Sequence, residues 1–356
     1  MPVQRWALRW APLAAFVWML VYMLHDTPSP LSDVKDQTKT HSQTRHDTCR
    51  AHGWSPYDRD PSAPPRKVYD LVMVNTELDW LEIRLNTTWS AVDYFVLVEG
   101  SRTFTNLPKP LHLAANLPKL APYASKIIYH ELVYPPSFHP VSTWETEDFQ
   151  RNAMLDQVFP LLAGPQAPHP GDVLVVADVD EIPRPETLAL LRACHFPRRL
   201  TLRSRFYYYS FQFLHAGPEW PHPQATYYQG LGKTVRPNDL RMGLGFFLRL
   251  WWDRAELANA AWHCSSCFKT MGELLTKMKS FSHSGLNREE YRDRGRIAER
   301  VREGRDLWDR EGEVFLRIEG NTDVPGFLLE NKERFGYVLN RDGRSAGFSD
   351  YDGDDV

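Results

Sequence analysis

From residue 67 onward, apolar residues fall into short runs separated by segments with helical spacing. Three runs rich in Val, Ile, Leu and Tyr predict strands: residues 68–74, 94–98 and 127–129. Between the first two, Leu78, Leu81 and Leu85 recur at helical spacing, which predicts a helix over residues 77–85. This strand–helix–strand order predicts a parallel sheet.

The pattern changes after residue 200. Upstream, residues 144–162 and 185–194 predict two helices on either side of a further apolar run. Downstream, three runs rich in aromatic residues predict strands: residues 200–213, 227–236 and 246–252. Helical spacing returns in two segments: residues 269–281 and 288–302. We expect an α/β fold in which a Rossmann-like half is followed by a half with a mixed or antiparallel sheet.

The most informative segment joins a buried strand to a cluster of carboxylates. Residues 173–177 are small or branched apolar residues, typical of a strand buried on both faces. Asp178, Asp180 and Glu181 follow, and two prolines then end the strand. Carboxylates are costly to hold together unless a cation offsets their repulsion, and α/β sheets bind ligands at the carboxyl ends of strands. The segment therefore predicts a divalent cation that holds a diphosphate.

Two alternatives fit the same acidic segment. An Asp-x-Asp pair is often only an acidic turn. Phosphatases of the haloacid-dehalogenase type also place Asp-x-Asp after an apolar strand, with the first Asp as nucleophile, which here would be Asp178. Their motif comes early in the chain and is followed by a Lys and a late acidic pair. In this chain the motif is central, and the late acidic residues belong to a tail at residues 346–356.

The N-terminus predicts a membrane anchor. Arg5 and Arg9 precede an uncharged run over residues 10–24, which spans ~22 Å as a helix. Counted from Trp6, with Arg9 reaching the surface, the span is ~28 Å and suits a thin membrane. A cleaved signal peptide is the alternative, but the following residues lack a small-x-small cleavage site. Because the arginines precede the span, we expect residues 1–9 in the cytosol and the remainder in the lumen.

Composition divides the lumenal part. Residues 25–66 are rich in Pro, Ser, Thr, Asp and Lys, and predict a disordered stem. Residues 67–345 are the predicted globular domain, and residues 346–356 an acidic tail. The chain is 42% hydrophobic and 13% aromatic, which is enough for a substantial core. Its net charge of −3 argues against a nucleic-acid partner. Anchor, stem and lumenal domain are the layout of a membrane enzyme of the Golgi or ER.

Four cysteines lie on the lumenal side of this predicted topology, where disulfides are permitted: Cys49, Cys194, Cys264 and Cys267. The Cys264-x-x-Cys267 spacing fits a redox pair, half a zinc site or a structural bridge. No second Cys-x-x-Cys occurs in the sequence, so a four-thiolate zinc site is excluded. We expect a structural role, either with each other or with a distant cysteine.

Four stretches together resemble glycosyltransferase family 17: residues 69–99, 177–183, 262–268 and 331–339. Residues 262–268, Trp-His-Cys-Ser-Ser-Cys-Phe, are the most specific, because Trp, His and two Cys rarely occur in that spacing by chance. The resemblance implies an inverting glycosyltransferase with a GT-A-like, Rossmann-type nucleotide-sugar-binding domain over residues 67–345. It further implies UDP-N-acetylglucosamine (UDP-GlcNAc) as donor and a mannose of a glycoprotein N-linked glycan as acceptor, joined by a β-1,4 link.

The resemblance and the acidic segment together suggest a set of metal ligands: Asp178, Asp180, Glu181 and His283. We expect Mn²⁺ to bridge carboxylates and the UDP diphosphate, as a Lewis acid on the leaving phosphate. Asp180 is the first choice for direct ligation, and Asp178 is expected on the metal or the ribose. Glu181 can instead orient its neighbours. His283 is included because many GT-A folds place a late His on the metal or diphosphate.

Inversion needs one general base for the acceptor hydroxyl, and three residues are candidates: His263, Glu273 and Asp253. His263 lies in the most specific stretch, and histidine is a common general base, although a structural histidine explains it equally well. Glu99 at a strand end is a candidate nucleotide contact, and Arg151 a candidate donor contact. Alternatively, Glu99 is a solvated turn residue and Arg151 lies on a helix surface without contacting a ligand. A different glycan acceptor, or a sugar-binding descendant without activity, also fits the sequence.

Overall fold

The computed structural model describes residues 46–58, 62–245, 252–280 and 288–353. The chain divides into two units, Met1–Pro56 and Tyr57–Val356. In the first unit, residues 46–51 are helical and Ser55–Pro56 form a short strand. The predicted cytosolic tail, the predicted anchor and most of the predicted stem lie outside the described residues. Within the described ranges, no helix has both the length and the apolar character needed to cross a membrane.

Apolar runs build a parallel half-sheet, as the sequence predicted. Its strands are β1 (Val68–Met73), β2 (Tyr94–Glu99), β3 (Ile127–Glu131) and β4 (Val173–Asp178). They lie parallel in the order β3-β2-β1-β4. The connections contain α1 (Leu78–Thr88), α2 (His112–Asn116) and α3 (Thr143–Asp156), with 3₁₀ turns at Leu117–Tyr123, Phe159–Leu161 and Gly164–Gln166. Because both faces of the sheet are covered here, almost every side chain of β1, β2 and β4 is buried.

The second half adds antiparallel pairs and completes a ten-stranded mixed sheet. Its strands are β5 (Glu181–Pro183), β6 (Arg199–Tyr208), β7 (Ser210–His215), β8 (Gln224–Tyr227), β9 (Arg254–Ser265) and β10 (Phe315–Arg317). β8 lies antiparallel to both β4 and β6, so it joins the two halves. β9 pairs parallel with β6 and antiparallel with β5. The predicted α/β class with a mixed sheet is confirmed.

The helices of this half are α4 (Pro185–Ala193), α5 (Pro237–Arg241), α6 (Met271–Ser280), α7 (Arg294–Glu303), α8 (Gly326–Glu330) and α9 (Lys332–Phe335). A two-residue strand, Cys194–His195, follows α4, and two 3₁₀ turns, Glu289–Arg292 and Gly336–Val338, precede α7 and follow α9. The helices predicted over residues 185–194 and 269–281 correspond to α4 and α6.

Some predicted elements differ from the structure. The strand predicted over residues 227–236 ends at its first residue, because the chain turns at Gly230, whose φ is +91°. The helix predicted over residues 144–162 ends at Asp156, shortly before Pro160, which cannot continue it. β9 was not predicted, since its Ala- and Glu-containing first half has low strand propensity. Most of the strand predicted at residues 246–252 lies outside the described residues.

The segment predicted as an acidic tail is packed against helices as far as residue 353. Ala346, Phe348 and Tyr351 are buried in one apolar cluster with residues of α6 and α7. The carboxylate of Asp350 accepts hydrogen bonds from the backbone N–H groups of Met271 and Gly272, at 2.6 and 3.0 Å. The segment therefore supplies an N-terminal cap for α6.

Cys264 and Cys267 form a disulfide with each other, with their Cα atoms 5.8 Å apart. This resolves the alternatives that the sequence left open for this pair in favour of a bridge. The indole N–H of Trp80, on α1, donates to the carbonyl of Cys267 at 3.0 Å. The bridge thus fixes the end of β9 against α1, and no described cysteine is free.

A buried ion pair ties the first strand and helix to the acidic segment. Arg84 of α1 donates two hydrogen bonds to the carboxylate of Asp70 on β1, both at 2.6 Å, and the two side chains are 0% and 1% exposed. The same guanidinium donates to the backbone carbonyls of Asp178 and Glu181, at 3.2 and 2.6 Å. Because these carbonyls point inward to Arg84, the backbone from β4 to β5 is held in one conformation.

We predict that Arg84→Met strongly destabilises the protein. The change leaves Asp70 as a buried carboxylate without its partner, so the free energy of unfolding should fall by about 3–5 kcal/mol. Urea denaturation of the full chain measures it. Arg334→Met is the matched control, because the Arg334–Glu82 pair lies at the surface, with side chains 51% and 25% exposed, and its loss should cost about 1 kcal/mol or less. Equal losses in both variants would contradict this account.

Candidate active site

Two cavities open at the carboxyl end of the parallel half-sheet. The polar cavity, about 200 Å³, is lined by the residues that follow β1 and β2 and by α3, among them Asn75, Glu77, Arg102, Lys109 and Arg151. The aromatic cavity, about 570 Å³, is lined by the second half of the fold, among them Phe206, Tyr208, Trp220, His263 and Trp308. Asp178, Asp180 and Lys277 line both cavities, so the two cavities adjoin at the predicted acidic segment.

The three carboxylates of the acidic segment occupy different environments. β4 ends at Asp178 and β5 begins at Glu181, so Asp180 lies in the connection between two strands. The side chain of Asp178 is 40% exposed, that of Asp180 is 15% exposed and that of Glu181 is 1% exposed. Asp178 and Asp180 are therefore the members of the cluster that a ligand can reach.

Glu181 is an internal anchor. Its carboxylate accepts hydrogen bonds from the backbone N–H of Asp178 at 2.9 Å and from the indole N–H of Trp220 at 2.8 Å. Two further bonds come from the guanidinium of Arg241, both at 2.8 Å. Burial alone would raise the pKa of Glu181, but the Arg241 guanidinium holds it well below its usual range. With both oxygens occupied by these donors, Glu181 is no longer a candidate metal ligand.

Asp178 and Asp180 remain as candidate ligands. Arg241 donates to Asp178 at 2.6 Å, and Arg151 lies 3.6 Å from its other oxygen. Within the described residues, no group of three or more His, Cys, Asp or Glu side chains is arranged to hold a metal ion. Two carboxylates that share a cation with a diphosphate and water fit the coordination habits of Mg²⁺-like ions. His283, the fourth predicted ligand, lies outside the described residues.

His263 is the predicted base candidate that the fold brings to the acidic segment. In the sheet it pairs with Glu181 of β5 on one side and with Phe206 of β6 on the other. Its ring lies against those of Phe206 and Trp220, with centroids 5.2 and 5.1 Å away, and the three rings form one cluster. Nδ1 lies 3.7 Å from an oxygen of Asp180 and is buried without a hydrogen-bond partner. Such an unpaired buried group calls for an explanation, and a role in binding or proton transfer supplies one.

The two other base candidates do not line either cavity. Glu273 accepts a hydrogen bond from the backbone N–H of Thr270, whose hydroxyl accepts one from the N–H of Glu273, both at 3.0 Å. This reciprocal pair is a capping box at the start of α6. Asp253 precedes β9 and is separated from His263 by roughly 30 Å of extended strand. Both are therefore poor candidates for the base.

Of the two predicted contacts with the donor, Arg151 lines the polar cavity and Glu99 does not. The carboxylate of Glu99 is buried and accepts hydrogen bonds from the backbone N–H groups of Leu113 and Ala114, at 2.8 and 3.0 Å, which caps α2 instead of facing the polar cavity. Arg151 does line the polar cavity, where it donates to Glu147 at 2.6 Å and to Asn238 at 3.0 Å. Arg151 thus stays a candidate donor contact.

Three site residues were missed in the sequence. Trp220 lies among three prolines, Pro218, Pro221 and Pro223, a composition typical of a loop and not of a site. Arg241 and Lys277 lie in helices that look ordinary in sequence. The capping role of Glu273 was readable, since Thr270-x-x-Glu273 before an apolar-spaced segment is a capping-box signature.

Fold and site together define an α/β protein with two adjoining cavities at the carboxyl edge of a mixed sheet. Residues 12–344 match the family model described as glycosyltransferase family 17. The chain therefore belongs to glycosyltransferase family 17, as the sequence motifs predicted. This membership removes the phosphatase alternative.

The chain is similar to named relatives in mammals. It is 26% identical over 312 residues to the human β-1,4-mannosyl-glycoprotein 4-β-N-acetylglucosaminyltransferase, covering 78% of this chain and 56% of that protein. It is 25% identical to the rat protein of the same name, covering 78% of this chain and 55% of that protein. The chain spans about half the length of these curated relatives.

Among solved structures, the chain matches the mannosyltransferase PcManGT from Pyrobaculum calidifontis in complex with GDP-Man and Mn²⁺. Its sequence is 11% identical, the TM-score is 0.33, and the match covers 72% of this chain and 68% of that chain.

We predict that Glu181→Gln destabilises the protein in a pH-dependent way. The pKa of Glu181 is lower in the folded chain than its ordinary value of 4.5. Its stabilising contribution is therefore present above that value and is lost as the pH falls through the lower folded pKa. The free energy of unfolding should drop by about 3 kcal/mol at pH 7, because Arg241 loses its buried partner, and the gap to wild type should narrow below pH 4.

Chemical denaturation between pH 3 and pH 8 measures this gap. Asp156→Asn is the control, because its pair with Arg236 is exposed at both side chains, 45% and 50%. That variant should differ little from wild type at any pH. A Glu181→Gln gap that stays constant down to pH 3 would show that the charge of Glu181 is not what Arg241 stabilises.

Proposed function

We propose that the protein transfers N-acetylglucosamine from UDP-GlcNAc to a mannose of an N-linked glycan, with inversion and formation of a β-1,4 link. The polar cavity would bind the nucleotide-sugar donor, and the aromatic cavity the glycan acceptor. The observation that carries the proposal is that the two cavities adjoin at Asp178 and Asp180. A sugar that passes between two substrates must be held where both can reach it.

The polar cavity has the groups that a nucleoside diphosphate requires. It follows the carboxyl ends of β1 and β2, where α/β sheets bind nucleotides. Arg102, Lys109 and Arg151 supply positive charge for phosphate. The side-chain oxygen of Asn75 is buried without a partner, and it can accept a hydrogen bond from a base or a ribose. These features support a nucleotide donor, and the name of the human relative supports N-acetylglucosamine as the sugar.

We propose Mn²⁺ as the cation, held by Asp180 and Asp178 together with diphosphate oxygens. When bound, it would act as a Lewis acid on the leaving phosphate. The carboxylate of Asp178 is already paired with Arg241 and Arg151, so Asp180 is the better candidate for direct ligation of the cation. His283 remains a candidate from the sequence alone.

The aromatic cavity suits an oligosaccharide. Its volume of about 570 Å³ lies within the usual range for ligand sites. Trp220, Phe206 and Trp308 line it, and aromatic side chains commonly pack on the apolar faces of sugars. Glu219, Arg310 and Glu313 add hydrogen-bonding groups for hydroxyls at the same wall. This mixture of rings and charged groups supports a glycan over a purely apolar ligand.

Inversion follows from a single displacement. The acceptor hydroxyl oxygen attacks the anomeric carbon, the bond from that carbon to the diphosphate oxygen breaks, and the hydroxyl proton passes to a base. We propose neutral His263 as that base, because it lines the aromatic cavity beside the junction. Asp180 lies 3.7 Å from its Nδ1, so the imidazolium that forms would gain a neighbouring carboxylate.

We predict that Asp180→Asn lowers turnover of UDP-GlcNAc at least 10²-fold, equivalent to about 2.7 kcal/mol of transition-state stabilisation. The substitution keeps the side-chain shape but removes a charge from the proposed cation site. The melting temperature should change little, because one of several clustered carboxylates is neutralised. Release of UDP is measured against Mn²⁺ concentration with an N-glycan acceptor.

Asp253→Asn is the matched control for this experiment, and it should keep near wild-type turnover because Asp253 lines neither cavity. An Asp180→Asn enzyme with wild-type turnover at low Mn²⁺ would remove Asp180 from the cation site. Wild-type activity that persists in EDTA would show that transfer does not need a divalent cation. Transfer to a glycan without the mannose acceptor would redirect the proposal to another acceptor.

We also propose that residues 10–24 anchor the protein in the Golgi or ER membrane, with the cytosolic tail at residues 1–9. Support comes from Arg5 and Arg9, which precede the uncharged run. Protease added to sealed microsomes should leave residues 67–345 intact until detergent is added. Digestion of this domain in sealed microsomes would refute the topology.

A further inference from the structure

Lys277 occupies a defined place on a well-anchored helix. Thr270 and Glu273 form a capping box at the first turn of α6. The carboxylate of Asp350 accepts two further backbone N–H hydrogen bonds at the same turn. Leu274 and Met278 on either side of Lys277 are buried in the core. The Lys277 ammonium lies 5.3 Å from the centroid of the Phe268 ring. The helix therefore holds this side chain at a fixed site on the cavity wall.

The position of Lys277 differs from that of the other cations. Arg102, Lys109 and Arg151 line the polar cavity only, and Arg310 lines the aromatic cavity only. Among the described residues, Lys277 is the one basic side chain that lines both cavities. Its ammonium also acts on Glu77 in the polar cavity. Burial raises the pKa of Glu77, and the nearby Lys277 partly opposes that rise.

We infer that Lys277 is a catalytic residue that neutralises the diphosphate as the sugar departs. The inference rests on the proposed function. With the donor in the polar cavity and the acceptor in the aromatic cavity, the bond that breaks lies at the junction of the two. Negative charge grows on the leaving diphosphate at that point, and a fixed ammonium there stabilises the transition state more than the ground state.

The charges in this step balance. As the anomeric carbon–oxygen bond breaks, its electron pair remains on the diphosphate, while the acceptor proton goes to His263. Lys277 stays an ammonium throughout and donates hydrogen bonds to the departing phosphate oxygen. It would thus share the neutralisation of the diphosphate with the cation proposed at Asp178 and Asp180, and the step needs no further reactant.

Turnover of three variants tests the inference. Lys277→Met should lower turnover by about 10²–10³-fold, the loss typical of one transition-state donor, and Lys277→Arg should recover part of it. Lys269→Met, which removes an exposed lysine that lines neither cavity, should match wild type. Unchanged melting temperatures exclude misfolding as the cause.

Chemical restoration of the ammonium separates a catalytic from a structural role. Because no described cysteine is free, the thiol introduced by Lys277→Cys is the intended target of 2-bromoethylamine, which rebuilds a lysine-like side chain. Aminoethylation should raise the turnover of Lys277→Cys at least tenfold, on the scale of one charged contact. No recovery in a correctly folded, fully alkylated protein would overturn the inference.

Nucleotide binding tests the inference without turnover. Calorimetry with UDP and UMP should show about tenfold weaker binding of UDP to Lys277→Met and unchanged binding of UMP, since the ammonium faces the outer phosphate. If Lys277→Met lost affinity equally for UDP and UMP, or lost none for either, the role of Lys277 would be overturned. If wild type binds UDP in this way but releases none from UDP-GlcNAc, the proposed function fails while the phosphate contact stands.

Discussion

The buried guanidinium of Arg84 is the interaction on which the arrangement of the site depends. It neutralises Asp70 inside the sheet, and because its side chain is fully buried, its Nη1 group donates to protein oxygens. Those oxygens are the backbone carbonyls of Asp178 and Glu181. Since the carbonyls turn inward, the side chains of the acidic segment are distributed between the interior and the two cavities. One helix, one strand and the acidic segment are thereby fixed as a unit.

The charge of the acidic segment is balanced largely by the protein itself. Clustered carboxylates predict a metal cation, but here Arg241 binds Glu181 and Asp178 together, and Arg151 lies close to Asp178. Glu181 is buried and accepts hydrogen bonds from four donors, and it thereby positions Trp220 and Arg241. What remains for a ligand is Asp180 and the exposed part of Asp178. This leaves room for a cation that is shared with a bound diphosphate, a weaker demand than a complete protein-built cage.

Sequence reasoning predicted the parallel half of the fold well, because β1, β2 and β4 are buried on both faces and consist mostly of apolar residues, with Asp70 as the polar residue inside β1. It failed for β9, whose exposed first half carries charged residues and alanine. The site was predictable where chemistry and strand ends coincide, as at Asp178 and Asp180. Arg241, Trp220 and Lys277 reach the site from distant helices and loops, and no local pattern marks such long-range contacts. Glu99 was misassigned because no local pattern separates a carboxylate that caps a helix from one that binds a ligand. Glu273 was misassigned although Thr270-x-x-Glu273 is a capping-box signature.

The central claim is that donor and acceptor occupy separate cavities that adjoin at Asp178 and Asp180. A crystal structure of the full chain with UDP and Mn²⁺ tests it most directly. The account predicts the nucleoside in the polar cavity beside Asn75, the diphosphate at the junction, and the Mn²⁺ anomalous signal on Asp180. Nucleotide bound in the aromatic cavity between Trp220 and Trp308, or metal bound to Glu181 in place of Arg241, would contradict it.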